Sequence, residues 1–187
     1  MRKLLGLALL GVAACGQEPE VSLKNATPEQ VQTKVREVRR SPGGGEMRFD
    51  PGEWRIETRL QDVQAEGMPP QVAQKMKASM GGVTSQVQCL TPEQASRPSS
   101  EMFAGKQSGR CKYDSFEMSG GKLKAALSCP DTSGAKMSMT MDGSYEKSSY
   151  TVIAAMRMES PTPGQTMTVR MQSTGTRMGE CRNAPKG

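Results

Sequence analysis

The 187-residue chain contains no histidine. That excludes a Ser-His-Asp triad, a Cys-His pair and a His-ligated zinc site. Aromatic residues are scarce, with one Trp, three Tyr and three Phe. The core therefore cannot rest on many large rings. A hydrophobic fraction of 35% and a mean hydropathy of −0.59 mark it as modest. No apolar run reaches the ~20 residues that a membrane-spanning helix needs. Gly43-Gly44-Gly45 lacks the Lys and the strand–helix context of a phosphate loop, and reads as a linker. The net charge is +6, but the basic residues are scattered. They do not alternate with aromatics as single-strand nucleic-acid binders require, so no nucleic acid is expected as a partner.

The N-terminus carries an address. Arg2 and Lys3 precede an apolar run, Leu4 to Ala14, too short to span a bilayer but right for a signal peptide. The run ends in Val12-Ala13-Ala14-Cys15, which looks like a bacterial lipobox. Residues 1–14 are expected to be cleaved and Cys15 to be lipidated. Two or more acyl chains give stable anchoring, so the membrane is the expected partner through the N-terminal acyl chains. Gly16, rather than Asp, after the cysteine favours the outer membrane over the inner one. The expected location is periplasmic and lipid-anchored.

Export implies an oxidising compartment, where cysteines pair. With Cys15 set aside, Cys89, Cys111, Cys129 and Cys181 remain. Ser119-Gly120-Gly121 between two alternating runs reads as a hairpin loop. Pairing Met118 with Lys122 across it sets Tyr113 opposite Leu127 and Cys111 opposite Cys129. Directly opposed Cβ atoms lie ~4.5–5.5 Å apart, close to disulfide range. Cys89–Cys181 follows by elimination. No two cysteines are close enough in sequence for redox catalysis or a metal knuckle.

Along the chain, residues 15–46 read as a lipidated tether. Its one structured part is a short helix at 28–40, opened by Thr27-Pro28-Glu29-Gln30 and striped by Val31, Val35 and Val38. Ser41-Pro42 and the glycine run mark a boundary. A β-rich domain is expected over 47–182, with a tail at 183–187. Trp54, Ile56, Thr58 and Leu60 alternate with charged or polar residues, which predicts a strand at 53–66. A helix follows from Pro70, with Val72, Met76 and Met80 on one side. Val83 to Cys89 is a short strand. Thr91-Pro92-Glu93-Gln94 repeats the capping sequence of Thr27, and 96–109 reads as loop. Five strands complete the chain, at 110–118, 122–129, 135–142, 144–158 and 165–178. Their turns are expected at Gly120-Gly121, Asp131 to Gly134, Asp142-Gly143 and Pro161 to Gly164. The fold class is mainly β (α+β). It is a curled antiparallel meander of about seven strands, a half-open barrel at its most curved, with one or two short helices.

Several motifs have a familiar order. They are Phe49-x-Pro51-Gly52-x-Trp54, Pro69-Pro70, Cys89-Leu90-Thr91-Pro92-Glu93, the Cys111…Cys129 hairpin and Gly179-x-Cys181. Together they resemble the exported bacterial proteins grouped as domain of unknown function 3617, over about 47–182. The resemblance implies a periplasmic or lipoprotein setting. It carries no activity and no catalytic residues.

Candidate chemistry reduces to the 15 methionines. Met137, Met139 and Met141 alternate, so one strand face carries all three. Met156 and Met158 share a face, as do Met167 and Met171. Thioethers suit Cu(I), but methionine is also a deformable core filler, and an alternating strand stacks its apolar residues in any case. No metal or other cofactor is expected, with Met137, Met139 and Met141 as the alternative. Glu57, Asp62, Asp114 and Glu117 alternate with bases like a solvated face, and no Ser or Thr has a base partner, so no catalytic residues and no enzyme are expected. The expected role is a non-catalytic binding or envelope-associated module, its protein or small apolar partner not specified by the sequence; the alternatives are a Met-based copper-binding protein and a carrier of an apolar ligand in a sheet cavity. Cys15→Ser is expected to move the protein from the membrane pellet to the soluble periplasmic fraction. Retention in the pellet would contradict anchoring by lipid.

Overall fold

A computed structural model describes residues 20–42, 44, 48–96, 111–130 and 135–182. The signal segment, Cys15, the turn at 131–134, the loop at 97–110 and the tail at 183–187 lie outside the described residues. The strands are β1 (Val21–Ala26), β2 (Gly52–Glu66), β3 (Val83–Leu90), β4 (Lys112–Ser119), β5 (Lys122–Pro130), β6 (Lys136–Tyr145), β7 (Ser149–Glu159) and β8 (Thr166–Gly179). They form one unclosed antiparallel sheet in the order β1-β4-β5-β6-β7-β8-β2-β3. The described helices are α1 (Pro28–Arg40), α2 (Pro70–Met80) and α3 (Pro92–Ser96). The chain is mainly β, as expected.

The repeated T-P-E-Q sequence works the same way twice. Thr27 N–H donates to Gln30 Oε1 at 2.8 Å, and Gln30 N–H donates to Thr27 Oγ1 at 3.3 Å. Thr91 and Gln94 repeat the exchange at 2.9 and 3.2 Å. Each box satisfies two amides that a helix start leaves without partners.

The segment read as tether contributes more than a helix. Val21–Ala26 pairs with β4, and Val21 is fully buried. α1 then lays Val31 and Val35 on the same sheet face, against Tyr113, Phe116, Met118 and Leu127. Ser22, Lys24 and Asn25 hid this strand: an edge strand with one polar face lacks the apolar density that flags a buried one. The sheet accordingly has eight strands, not seven.

The β4–β5 hairpin is tighter at its turn than expected. Gly120 and Gly121 have φ of 50° and 70°, the two positive values of a two-residue primed turn. Met118 therefore faces Leu123, and Lys122 faces Ser119. A bulge at Asp114 then shifts the register, so Tyr113 does face Leu127. The structure bonds Cys111 to Cys129 and Cys89 to Cys181.

Three further expectations change. Asp142-Gly143 is no turn; it lies within β6, and the chain reverses at Glu146 to Ser148. A Cβ on Gly143 would lie 2.3 Å from Thr151 O, so this glycine admits the neighbouring strand. β3 is an edge strand that leaves Val83 and Val87 exposed. α2 buries no stripe, since Val72 is exposed and Met76 only half-buried.

The inner face, under α1, holds a continuous core, and a smaller cluster of Trp54, Leu90 and Ala95 joins it through Phe49 and Tyr150. A chain beginning at Phe49 would expose Tyr113, Phe116 and Met118 by losing β1 and α1. It is expected to lose its cooperative thermal transition by circular dichroism, whereas one beginning at Gly16 keeps it.

Candidate functional site

Four of the few aromatics converge at the end of the sheet where α1 stops. Phe49 meets Trp54, Tyr145 and Tyr150 at centroid distances of 5.4, 6.3 and 5.8 Å. Tyr150 lies over Gly175, where a Cβ would be 2.1 Å from its ring. Its hydroxyl is 3.4 Å from Ser173 Oγ. Behind Phe49, the Pro51 carbonyl accepts from Arg177 Nε at 2.7 Å. Gly52 has φ of 143°, and a Cβ there would sit 2.2 Å from Gly179 O. The Phe49-x-Pro51-Gly52-x-Trp54 motif is thus a corner that fixes two aromatic rings.

These rings wall a cavity of about 180 Å³ on the inner face. Phe49, Tyr145 and Tyr150 line one side, and Met118, Leu123, Met139, Met141, Val152 and Ala154 the rest. Ser144 and Ser173 supply hydroxyls. A depression of about 320 Å³ on the opposite face, between Lys124, Asp142 and Arg170, is more open and of mixed polarity.

One charged residue is buried beside Tyr145, a residue of the cavity wall. Arg39, at the end of α1, is 3% exposed. Its Nη1 donates to Ala95 O at 3.2 Å, but Nε and Nη2 are buried without partners among the described residues. The hydroxyl of Tyr145, a residue of the cavity wall, is also buried without a partner of good hydrogen-bond geometry among the described residues, though the Gly121 backbone lies near enough to lower its pKa. Burial lowers the Arg39 pKa to about 10; the neighbouring Tyr145 partly offsets this, and Arg48 adds to it. Burial likewise pushes the Tyr145 hydroxyl up. Arg39 continues the buried stripe of Val31 and Val35 at a spacing of four, but a basic residue in the last turn beside Arg40 reads in sequence as a solvated helix end.

Beyond the cavity, register sets the methionines in rows. Directly opposed residues share a face. One row runs Cys129, Met137, Met158, Met167, Ala65. The next runs Leu127, Met139, Met156, Val169, Val63, and the third Ala125, Met141, Ala154, Met171, Leu60. Seven methionines of three strands thus occupy one face. Met141 is buried, whereas the other six are half-buried. Of the three expected together, Met141 belongs to the core and Met139 packs against it, while Met137 stands towards the rim.

The model of one protein family, described as protein of unknown function (DUF3617), matches residues 49–181. The chain belongs to this family. The match spans the aromatic corner and all four disulfide cysteines, and begins after β1 and α1. No curated protein and no solved structure matches the chain. Among the described residues, no helix is long and apolar enough to cross a membrane.

A buried cation with unpaired donors costs stability. The cost is present in full at neutral pH, because the folded state binds the Arg39 proton less tightly than the unfolded chain. It is relieved only as pH rises through about 10. Arg39→Met is therefore expected to raise Tm at pH 7 by about 2–8 °C, on the order of 1–2 kcal/mol. Scanning calorimetry checks this.

Proposed function

We propose that this DUF3617 protein is a lipid-anchored, non-catalytic binding module of the bacterial envelope, and that its inner-face cavity takes a single-chain anionic amphiphile. The observation that carries this reading is the apolar cavity of about 180 Å³ lined by Tyr145, beside which the Arg39 guanidinium is buried with Nε and Nη2 lacking partners among the described residues. Ligand pockets usually measure about 300–1,000 Å³. A smaller one suits one end of an acyl chain, the remainder lying along the half-buried methionine rows. A carboxylate or phosphate head would satisfy donors that the core leaves unpaired, which a neutral apolar molecule would not.

The setting supports the same reading. Cys15 lies six residues before Val21. Even fully extended, that linker spans at most ~20 Å, so an acylated Cys15 keeps β1 near the bilayer, where amphiphiles are concentrated. Two disulfides suit an oxidising compartment. The reading as a non-enzyme rests on the chain's lack of histidine and on carboxylates that alternate with bases along the strands.

Calorimetric titration with dodecanoate and with dodecanol tests the proposal. Dodecanoate is expected to bind at least tenfold more tightly than dodecanol. Ala154→Phe, which fills the cavity, is expected to abolish binding of both while circular dichroism stays unchanged. Arg39→Met is expected to remove the preference for the acid. Failure of both ligands to bind the native protein overturns the reading.

A further inference from the structure

The methionine rows contain a block that core packing and the cavity explain only at Met139. On β6 and β7, Met137 faces Met158 and Met139 faces Met156. Opposed Cβ atoms lie ~4.5–5.5 Å apart. Positions i and i+2 of one strand lie ~6.5–7 Å apart. Four flexible thioethers on the corners of so small a block can converge on one point. Met167 adjoins Met158 on β8 and adds a fifth.

The surroundings select for a soft ion. The neighbours of the block on its own face are Leu127, Val169 and Cys129, whose sulfur is held in a disulfide. Lys136, Arg157 and Glu159 alternate to the other face. Among the described residues, no carboxylate on this face competes for the site, so hard divalent cations gain nothing there. The chain has no histidine, and the four cysteines outside the signal region are disulfide-bonded. Thioethers are therefore the soft donors this domain offers, and thioethers suit Cu(I).

Packing alone would favour other residues here. Mid-strand positions prefer β-branched and aromatic side chains. A core filler gains by burial, yet Met137, Met139, Met156 and Met158 are all only half-buried. Val169, in the same row as Met139 and Met156, is buried and is a valine.

We infer that Met137, Met139, Met156 and Met158 form a site for one monovalent soft metal ion, Cu(I), on the inner face of the sheet. The site is separate from the aromatic end of the cavity, and only Met139 belongs to each. Binding involves no redox step, since the ion enters and leaves as Cu(I).

Anaerobic titration of the disulfide-bonded mature protein with Cu(I), against the chelator bicinchoninate, tests this. One ion per chain is expected to be withheld from the chelator at sub-micromolar affinity. Met137→Leu with Met158→Leu is a near-isosteric pair of changes that leaves the fold intact; it is expected to weaken binding at least tenfold. Met178→Leu, at an exposed methionine outside the block, is expected to change nothing. Methyl NMR signals of the four methionines are expected to shift on binding, and that of Met118 to stay. No ion held more tightly than micromolar overturns the inference. So does binding that the double variant leaves unmoved, which would place the ion elsewhere.

Discussion

Which side chains share the inner face depends on a single register, that of the β4–β5 hairpin. The side-chain period of a strand is two, so a slip of one residue would turn Tyr113, Phe116 and Met118 outward together. Two devices hold the register. The Gly120-Gly121 turn sets Met118 against Leu123. The bulge at Asp114 then moves the pairing by one, so that Cys111 and Cys129 meet and bond. β1 docks on β4 in step with this face, and α1 can cover it only because Phe116 and Tyr113 point towards the helix. Later strands inherit the alignment through unbroken ladders from β5 to β8.

Local chemistry made much of this legible in the sequence. Alternation from Trp54 to Leu60 is a strand whatever surrounds it. Thr27 and Thr91 announce helix starts because a capping box closes within four residues. The disulfide pairing was readable because a hairpin brings its own partners together. Features that depend on distant chain were not readable. Val21 to Ala26 has few apolar residues and becomes a strand because the edge of β4 is free to receive it. Asp142-Gly143 carries a strong turn signal, but Gly143 is small because the β7 backbone passes close. At the site, the shared faces of the methionines were legible strand by strand. Their assembly into rows was not, since row membership follows from pairing. Arg39 shares the spacing of Val31 and Val35, but a basic helix end reads as solvated, and its burial is completed by Ala95 and Tyr145, more than fifty residues away.

A chain with seven aromatics must place them economically, and six lie among the described residues. Tyr113 and Phe116 meet edge to face at 5.4 Å beneath α1. Phe49, Trp54, Tyr145 and Tyr150 close the other end, and Phe49 and Tyr150 are packed against both core clusters. The corner that carries Phe49 and Trp54 is stitched to β8 by Arg177, and Cys89–Cys181 ties β3 and the chain end beside it. Rigid rings are thus fixed where backbone geometry is most constrained. Between the two aromatic groups the filling is Met, Ala, Val and Leu, which leaves both a cavity and an adaptable wall.

Two features break the local rules of a stable core, and they adjoin the same space. A buried guanidinium lacks partners for two of its nitrogens among the described residues, and half-buried strand positions carry methionine where β-branched residues pack better. Sequences tend to violate such rules where function demands it. Replacing Arg39 with an apolar residue, or Met156 with valine, would serve stability alone. That neither substitution stands here is the physical reason to place the protein's purpose on the inner face rather than on its charged outer one. The outer face is a mixed polar one, of Ser, Thr and scattered charges with a few small apolar residues, as solvent exposure allows.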